Sequence, residues 1–233
     1  MRDYSILWQQ MRCLTEIKTL MATGVLDPDQ LRQVARELDV LEDDLPHFGE
    51  GIRIAAMEDS FRAIRVQSLE GLFKEWEIHD KRVPLWRQGS LGRLTLLNWC
   101  EINQSSSKRM AEGDGRTWAE ARVATREACA EIVVSRDYVM GLVNRPLAKL
   151  DYIPIQKIFR DGLAQLRLLR AAALYRADGT LPDADDPFGG KLRWSKKGHV
   201  VRIWSRGVDG MDDGGSGGWN PKHGRDIVLE VRR

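Results

Sequence analysis

Asp186-Pro187-Phe188-Gly189-Gly190-Lys191-Leu192-Arg193-Trp194 opens a stretch that differs in kind from everything before it. Val200-Val201-Arg202-Ile203-Trp204-Ser205 follows. Next comes a loop rich in glycine and aspartate (Gly207, Asp209, Gly210, Asp212, Asp213, Gly214, Gly215), and the last apolar run is Asp226-Ile227-Val228-Leu229-Glu230-Val231. Short apolar runs bounded by glycine-rich turns read as strands. Carboxylates crowded into a flexible loop suit a hard cation such as calcium, which takes about six to eight oxygens from carboxylates, carbonyls and hydroxyls. Asp209, Asp212, Asp213 and Asp226 offer carboxylates there, Ser205 and Ser216 hydroxyls, and the glycines let backbone carbonyls curl inward. The spacing does not follow the EF-hand pattern, and a solvated hairpin turn would use the same residue types.

Upstream, the period changes from two to about 3.6. Ile155, Ile158, Phe159, Leu163, Leu166, Leu169, Ala173 and Leu174 recur at helical spacing until Asp178-Gly179. Arg160, Arg167 and Arg170 fall on one side of this helix and are expected to form a solvated face. Leu7, Met11, Leu14, Ile17, Leu20 and Met21 mark a first helix that ends near Thr23-Gly24. Asp27-Pro28 supplies an N-cap and a first-turn proline for a second helix carrying Leu31, Val34, Leu38 and Leu41. A third helix is expected from about Glu50 to Leu69, an irregular segment over 74–90, and a fourth helix from about Ser90 through Leu97 towards Met110. Thr117 and Glu120 have the spacing of a capping box at the start of a fifth. The expected fold is therefore mainly α, a bundle or array over residues 1–178, with a small antiparallel β module over 179–233 that must pack on the last helix.

Composition bounds the function. The chain has 233 residues, 42% apolar and 30% charged, with a formal net charge of +2, which suits a soluble globular protein and supplies no global field for nucleic acid. No run approaches the ~20 apolar residues of a membrane span. Cys13, Cys100 and Cys129 are odd in number and widely spaced, and read as buried free thiols. His47, His79, His199 and His223 form no metal-ligand pair at helical spacing. Neither a Gly-x-Ser-x-Gly elbow nor a phosphate-binding loop is present, and Ser105-Ser106-Ser107 reads as an exposed helical face. No catalytic residue is assigned.

The segments Asp186–Trp194, Ile203–Gly210, Asp212–Gly215 and Asp226-Ile227 resemble the C-terminal signature of the type II secretion major pseudopilins. A similar ending closes a group of uncharacterised helical proteins from planctomycetes and related bacteria, to which Gly24–Leu31 and Glu58–Arg65 are also similar. The pseudopilin likeness covers about a quarter of the chain, and the likeness to the helical group most of it. The resemblance implies a calcium ion in the hairpin region. Asp209 matches the aspartate of the family's Gly-x-Asp-Gly, and Asp226 the aspartate before the last strand. The family's further acidic position meets Ser216 or neighbouring glycines here, so Asp213 would have to take its place. A pseudopilin also begins with a hydrophobic anchoring helix, so the resemblance implies a shared C-terminal module rather than a pilus subunit.

The resulting expectation is a non-enzymatic structural or protein-interaction protein with a calcium-stabilised loop held by Asp209, Asp213 and Asp226. It would have a protein partner, no nucleic-acid partner and no membrane span. It would be soluble as given, and periplasmic or envelope-associated if an anchoring segment precedes it. The alternative is a hydrolase whose acidic site, with or without a metal, is assembled from helical carboxylates.

Overall fold

The computed structural model describes residues 2–44, 57, 89–113, 116–140, 152–220 and 225–232. Among them are five helices: α1 (Arg2–Ala22), α2 (Pro28–Asp44), α3 (Gly89–Glu112), α4 (Trp118–Met140) and α5 (Ile153–Asp178). Three strands, β1 (Arg193–Lys197), β2 (Val200–Ser205) and β3 (Ile227–Arg232), form one antiparallel sheet in the order β1-β2-β3. The protein is mainly helical with a small C-terminal sheet, as the change of period indicates. The helix expected over 50–69, the irregular segment 74–90 (apart from Gly89 and Ser90), and His47, His79 and His223 lie outside the described residues, save Met57. Among the described residues no helix is long and apolar enough to cross a membrane.

Contacts group the chain differently from a linear split at residue 178. Met1–Leu45 and Ile155–Arg233 make one compact unit, and Pro46–Pro154 another. In the first unit, local chemistry sets the helix ends. Gly24 (φ 75°) takes the left-handed conformation after α1. Asp27 and Gln30 cap α2 reciprocally: the Gln30 amide donates to Asp27 Oδ1 at 2.8 Å and the Asp27 amide to Gln30 Oε1 at 3.0 Å. Leu31, Ala35 and Leu38, spaced four and three apart, form the buried stripe of α2. Gly179 (φ 81°) ends α5, donating to the Tyr175 carbonyl at 2.8 Å.

α5 is buried on most of its circumference, with Ala164, Leu166, Leu168, Leu169 and Ala171 through Ala173 all enclosed. A helix apolar on so many sides must be surrounded by other elements. Its arginines are not the solvated face that the sequence pattern suggests. Arg160, only 8% exposed, donates to the Pro187 carbonyl. Arg167 pairs with Glu42 of α2 at 2.6 Å and donates to the Asp185 carbonyl at 2.8 Å. Arg170 pairs with Asp39, and Arg176 donates to the Met21 carbonyl at the end of α1. The long stems reach partners far away in sequence, which a helical wheel cannot display.

The sheet alternates cleanly. Val201, Ile203, Ser205, Ile227, Leu229 and Val231 share one face and are all buried. That face belongs to the core of this unit, and α5 holds the chain on both flanks of the sheet: Arg160 at Pro187, and Gln165 at the Trp219 carbonyl at 2.9 Å. Trp219 also donates to Thr15 Oγ1 at 3.3 Å, with Lys18 5.1 Å from its ring, tying the same loop to α1.

In the second unit, Thr117 and Glu120 form the expected capping box, the Thr117 amide donating to Glu120 at 3.1 Å and the Glu120 amide to Thr117 Oγ1 at 3.5 Å. Met110, Ala128, Cys129 and Ile132 form a core between α3 and α4, with Tyr152 against it. The expected exposed serine face of α3 is corrected. Ser106 and Ser107 are buried, because this side of α3 meets α4, where Ser106 Oγ donates to Glu131 at 2.9 Å. Leu97, in contrast, is 53% exposed. The three cysteines are free as expected, but only Cys100 and Cys129 are buried; Cys13 is exposed on α1.

Arg167→Ala leaves the half-buried Glu42 without its cation. It should lower the unfolding free energy by roughly 1.5–3 kcal/mol in urea titrations. Arg12→Ala, which removes the exposed pair with Glu16, should change it by less than about 0.5 kcal/mol.

Candidate functional site

The connection from β2 to β3 folds back over the second face of the sheet. Trp204, Arg202 and Val228 lie on that face, and Arg202 pairs with Glu230 on β3 at 2.6 Å. Gly214 (φ 66°) and Gly215 (φ 71°) make two successive left-handed turns. A Cβ on Gly215 would lie 3.1 Å from the Trp204 ring, so the loop backbone sits directly on the indole. Gly217 is tighter still: its Cβ would stand 1.7 Å from the Asp226 carbonyl oxygen.

Aspartates place this loop. Asp212 Oδ1 accepts from the Trp204 indole N–H at 2.9 Å and from the Gly214 amide at 3.1 Å, and its other oxygen pairs with Arg193 of β1. The Trp204 bond first, and the Gly214 amide and Arg193 charge after it, hold its carboxyl below the usual range. Asp186 is buried in the turn before β1. Its Oδ1 accepts from the Phe188 amide at 2.9 Å and Ser205 Oγ at 2.7 Å, and its Oδ2 from the Arg206 amide at 2.9 Å. One carboxylate thereby ties the Asp-Pro-Phe-Gly turn to the end of β2. Neither Asp186 nor Trp204 is singled out by the sequence as a site residue. The available signal is the aspartate two residues before an amide it can cap, in a proline-containing turn.

Asp226 behaves differently. The residue is fully buried, at 0% exposure; Oδ2 accepts from the Gly215 amide at 2.8 Å, whereas Oδ1 has no hydrogen-bond partner among the described residues. Burial pushes its carboxyl above the ordinary range, and the negative charges of Asp213 and Asp212 push it further, against the pull of the Gly215 and Asp213 amides. Of the three ligands expected from the sequence, the structure thus brings Asp213 beside Asp226. Asp209 lies on the exposed stretch of the loop, where its Oδ1 accepts from the Met211 amide at 2.9 Å. Among the described residues no group of three or more acidic, histidine or cysteine side chains is assembled for a metal. Any cation here would draw on backbone carbonyls and hydroxyls as well as carboxylates. Oxygen donors of that kind suit a hard cation, and Oδ1 of Asp226 is the buried oxygen of this loop without a hydrogen-bond partner.

A recess of about 200 Å³ between α1 and α2 is lined mainly by Ile17, Leu20, Met21, Val34 and Leu38, with Glu37 as its carboxylate. One carboxylate in an apolar recess does not make an acid–base pair. His199, the one described histidine, is exposed at the β1–β2 turn.

No protein-family model, curated protein or solved structure matches this chain.

Gly217→Ala should destabilise the C-terminal sheet by more than about 2 kcal/mol, because a backbone carbonyl cannot move aside. Gly210→Ala meets open space and should cost only the left-handed conformation, about 1–2 kcal/mol. Thermal melts of the two variants check the order.

Proposed function

We infer that this protein is a non-enzymatic structural or protein-interaction protein whose C-terminal loop is stabilised by calcium. The single observation that carries the calcium reading is the buried, half-satisfied carboxylate of Asp226 beside the charges of Asp213 and Asp212. A buried carboxylate with a free oxygen and acidic neighbours is unfavourable by itself and favourable around a divalent cation. Asp226 is the principal ligand in this reading and Asp213 the second. Asp209 contributes through the oxygen not engaged by Met211. The resemblance of Asp186–Trp194 and Asp226-Ile227 to the pseudopilin ending supports the same placement. The structural reading is supported by what the other carboxylates do: Asp39, Glu42, Glu131, Asp178, Asp186 and Asp212 are each engaged by an arginine or by a hydrogen-bond donor that joins elements.

The pH dependence has a definite sign. Because burial raises the pKa of Asp226, its contribution to metal-free stability is greatest below the ordinary carboxylate range and is lost as pH rises through the raised value. Calcium reverses this by favouring the ionised form. At neutral pH, Asp226→Asn should therefore melt higher than the wild type in EGTA, and the gap should close as the pH falls through that raised pKa.

Calcium should raise the wild-type melting temperature by mass action, equivalent to about 2.7 kcal/mol at a hundredfold excess over Kd, and Asp226→Asn should show no increment. Wild-type melts that coincide in millimolar calcium and in EGTA would sink the metal reading.

A further inference from the structure

The edge beside β1 is covered only just before the strand, where Asp185 bridges to Lys191 and the Leu192 amide donates to the Ala184 carbonyl at 2.9 Å. The outer edge of β3 is covered at its start, where Gly218 bridges to Ile227 and accepts from the Val228 amide at 3.0 Å. β1 pairs with β2 alone, and among the described residues the backbone of 193–197 makes no bond to anything else. In an edge strand every second residue turns its N–H and C=O away from the sheet, so β1 presents an open row of donors and acceptors.

The side chains along that edge are also unfinished. Register places Trp194 beside Ile203, and Ile203 beside Leu229. Ile203 and Leu229 are buried, yet Trp194, the third member of the row, is 57% exposed. Further along, Lys196 and Lys197 point to opposite faces, and Arg232 stands across the sheet from Lys197 through Val200. None of these three cations forms an ion pair among the described residues, whereas Lys191 and Arg193 are neutralised by Asp183, Asp185 and Asp212.

We propose that the free edge of β1 is a docking site for an extended acidic segment of another protein, which joins the sheet as a fourth strand. Such a strand completes the backbone ladder, extends the Trp194–Ile203–Leu229 row and covers the indole, the kind of aromatic anchor that dominates interface energetics. Its carboxylates face Lys196 on one side and Lys197 with Arg232 on the other. Charge also excludes a second copy of this chain as the occupant, since two β1 edges side by side would set lysines against lysines. The inference rests on the protein-interaction reading above and is independent of calcium.

The test titrates the full chain with a short peptide of adjacent glutamate pairs, one carboxylate for each face, separated by valines, followed by backbone amide NMR and calorimetry. Saturable binding with shifts centred on residues 193–197 is expected. Lys196→Glu/Lys197→Glu should weaken it about tenfold or more, and Trp194→Ala should weaken it while leaving the melting temperature unchanged. A peptide N-methylated at alternate amides keeps its charge but loses its donors, and should not bind. Equal binding of the N-methylated peptide or of a lysine–valine peptide overturns the proposal. So does tighter binding of phosphatidylserine vesicles or of a single-stranded oligonucleotide, which would make the edge a charge patch for those ligands. Absent shifts at β1 alongside an intact calcium increment would remove the docking site and leave the calcium-stabilised loop standing.

Discussion

Four arginines on one helix hold the first unit together. Arg160, Arg167, Arg170 and Arg176 each leave α5 in reach of a different segment: the turn at Pro187, the α2 carboxylates Glu42 and Asp39, and the end of α1. Between them α5 is lined by alanine and leucine, which allow close approach on several sides. The apolar surface supplies the driving force but no direction. The guanidinium forks, with fixed planar donors, supply the direction by donating only to carbonyls and carboxylates placed at particular points along the helix. Arg32 adds the reciprocal tie from α2 back to Asp178 at the end of α5, at 2.7 Å.

The same economy of polar groups governs the C-terminal sheet. Three strands cannot bury enough apolar surface to stand alone. One face is completed by the helical core, the other by the glycine loop lying on Trp204. A glycine-rich loop is entropically expensive to order. Here it is held by carboxylates that each bind two or three donors: Asp186 joins the turn before β1 to the end of β2, and Asp212 joins the loop to Trp204 and Arg193. Among these loop carboxylates Asp226 keeps a buried oxygen without a partner, where the loop re-enters the sheet, as Glu42 Oε2 does on α2. That buried, unmatched oxygen is a point of electrostatic tension in the loop.

That tension and the open edge of β1 are separate features of one small module. The loop side of the sheet is acidic, while the hairpin end carries Lys196, Lys197 and Arg232 without counter-charges among the described residues. Arg193 links the two regions, as a β1 residue whose charge is spent on Asp212.

What the sequence determined by itself was local. The ends of α1, α2, α4 and α5 were readable at Thr23-Gly24, Asp27-Pro28, Thr117 to Glu120 and Asp178-Gly179, because caps and left-handed glycines act within four residues of chain. The strands were readable because the apolar period changes after Asp186. The tertiary structure alone decided the roles of the arginines, the burial of Ser106 and Ser107, the grouping of α1 and α2 with α5, and which aspartates meet. Arg167 and Glu42 are 125 positions apart, and Asp226 is 11 from the amide it binds. Nothing in composition distinguishes Asp209, which turns on its own loop, from Asp226, which is enclosed. Helical periodicity reports which side of a helix is apolar, not which distant partner will neutralise a charge on it. That choice is made only when the chain has packed and water has been excluded from one side of the carboxylate and not from the other.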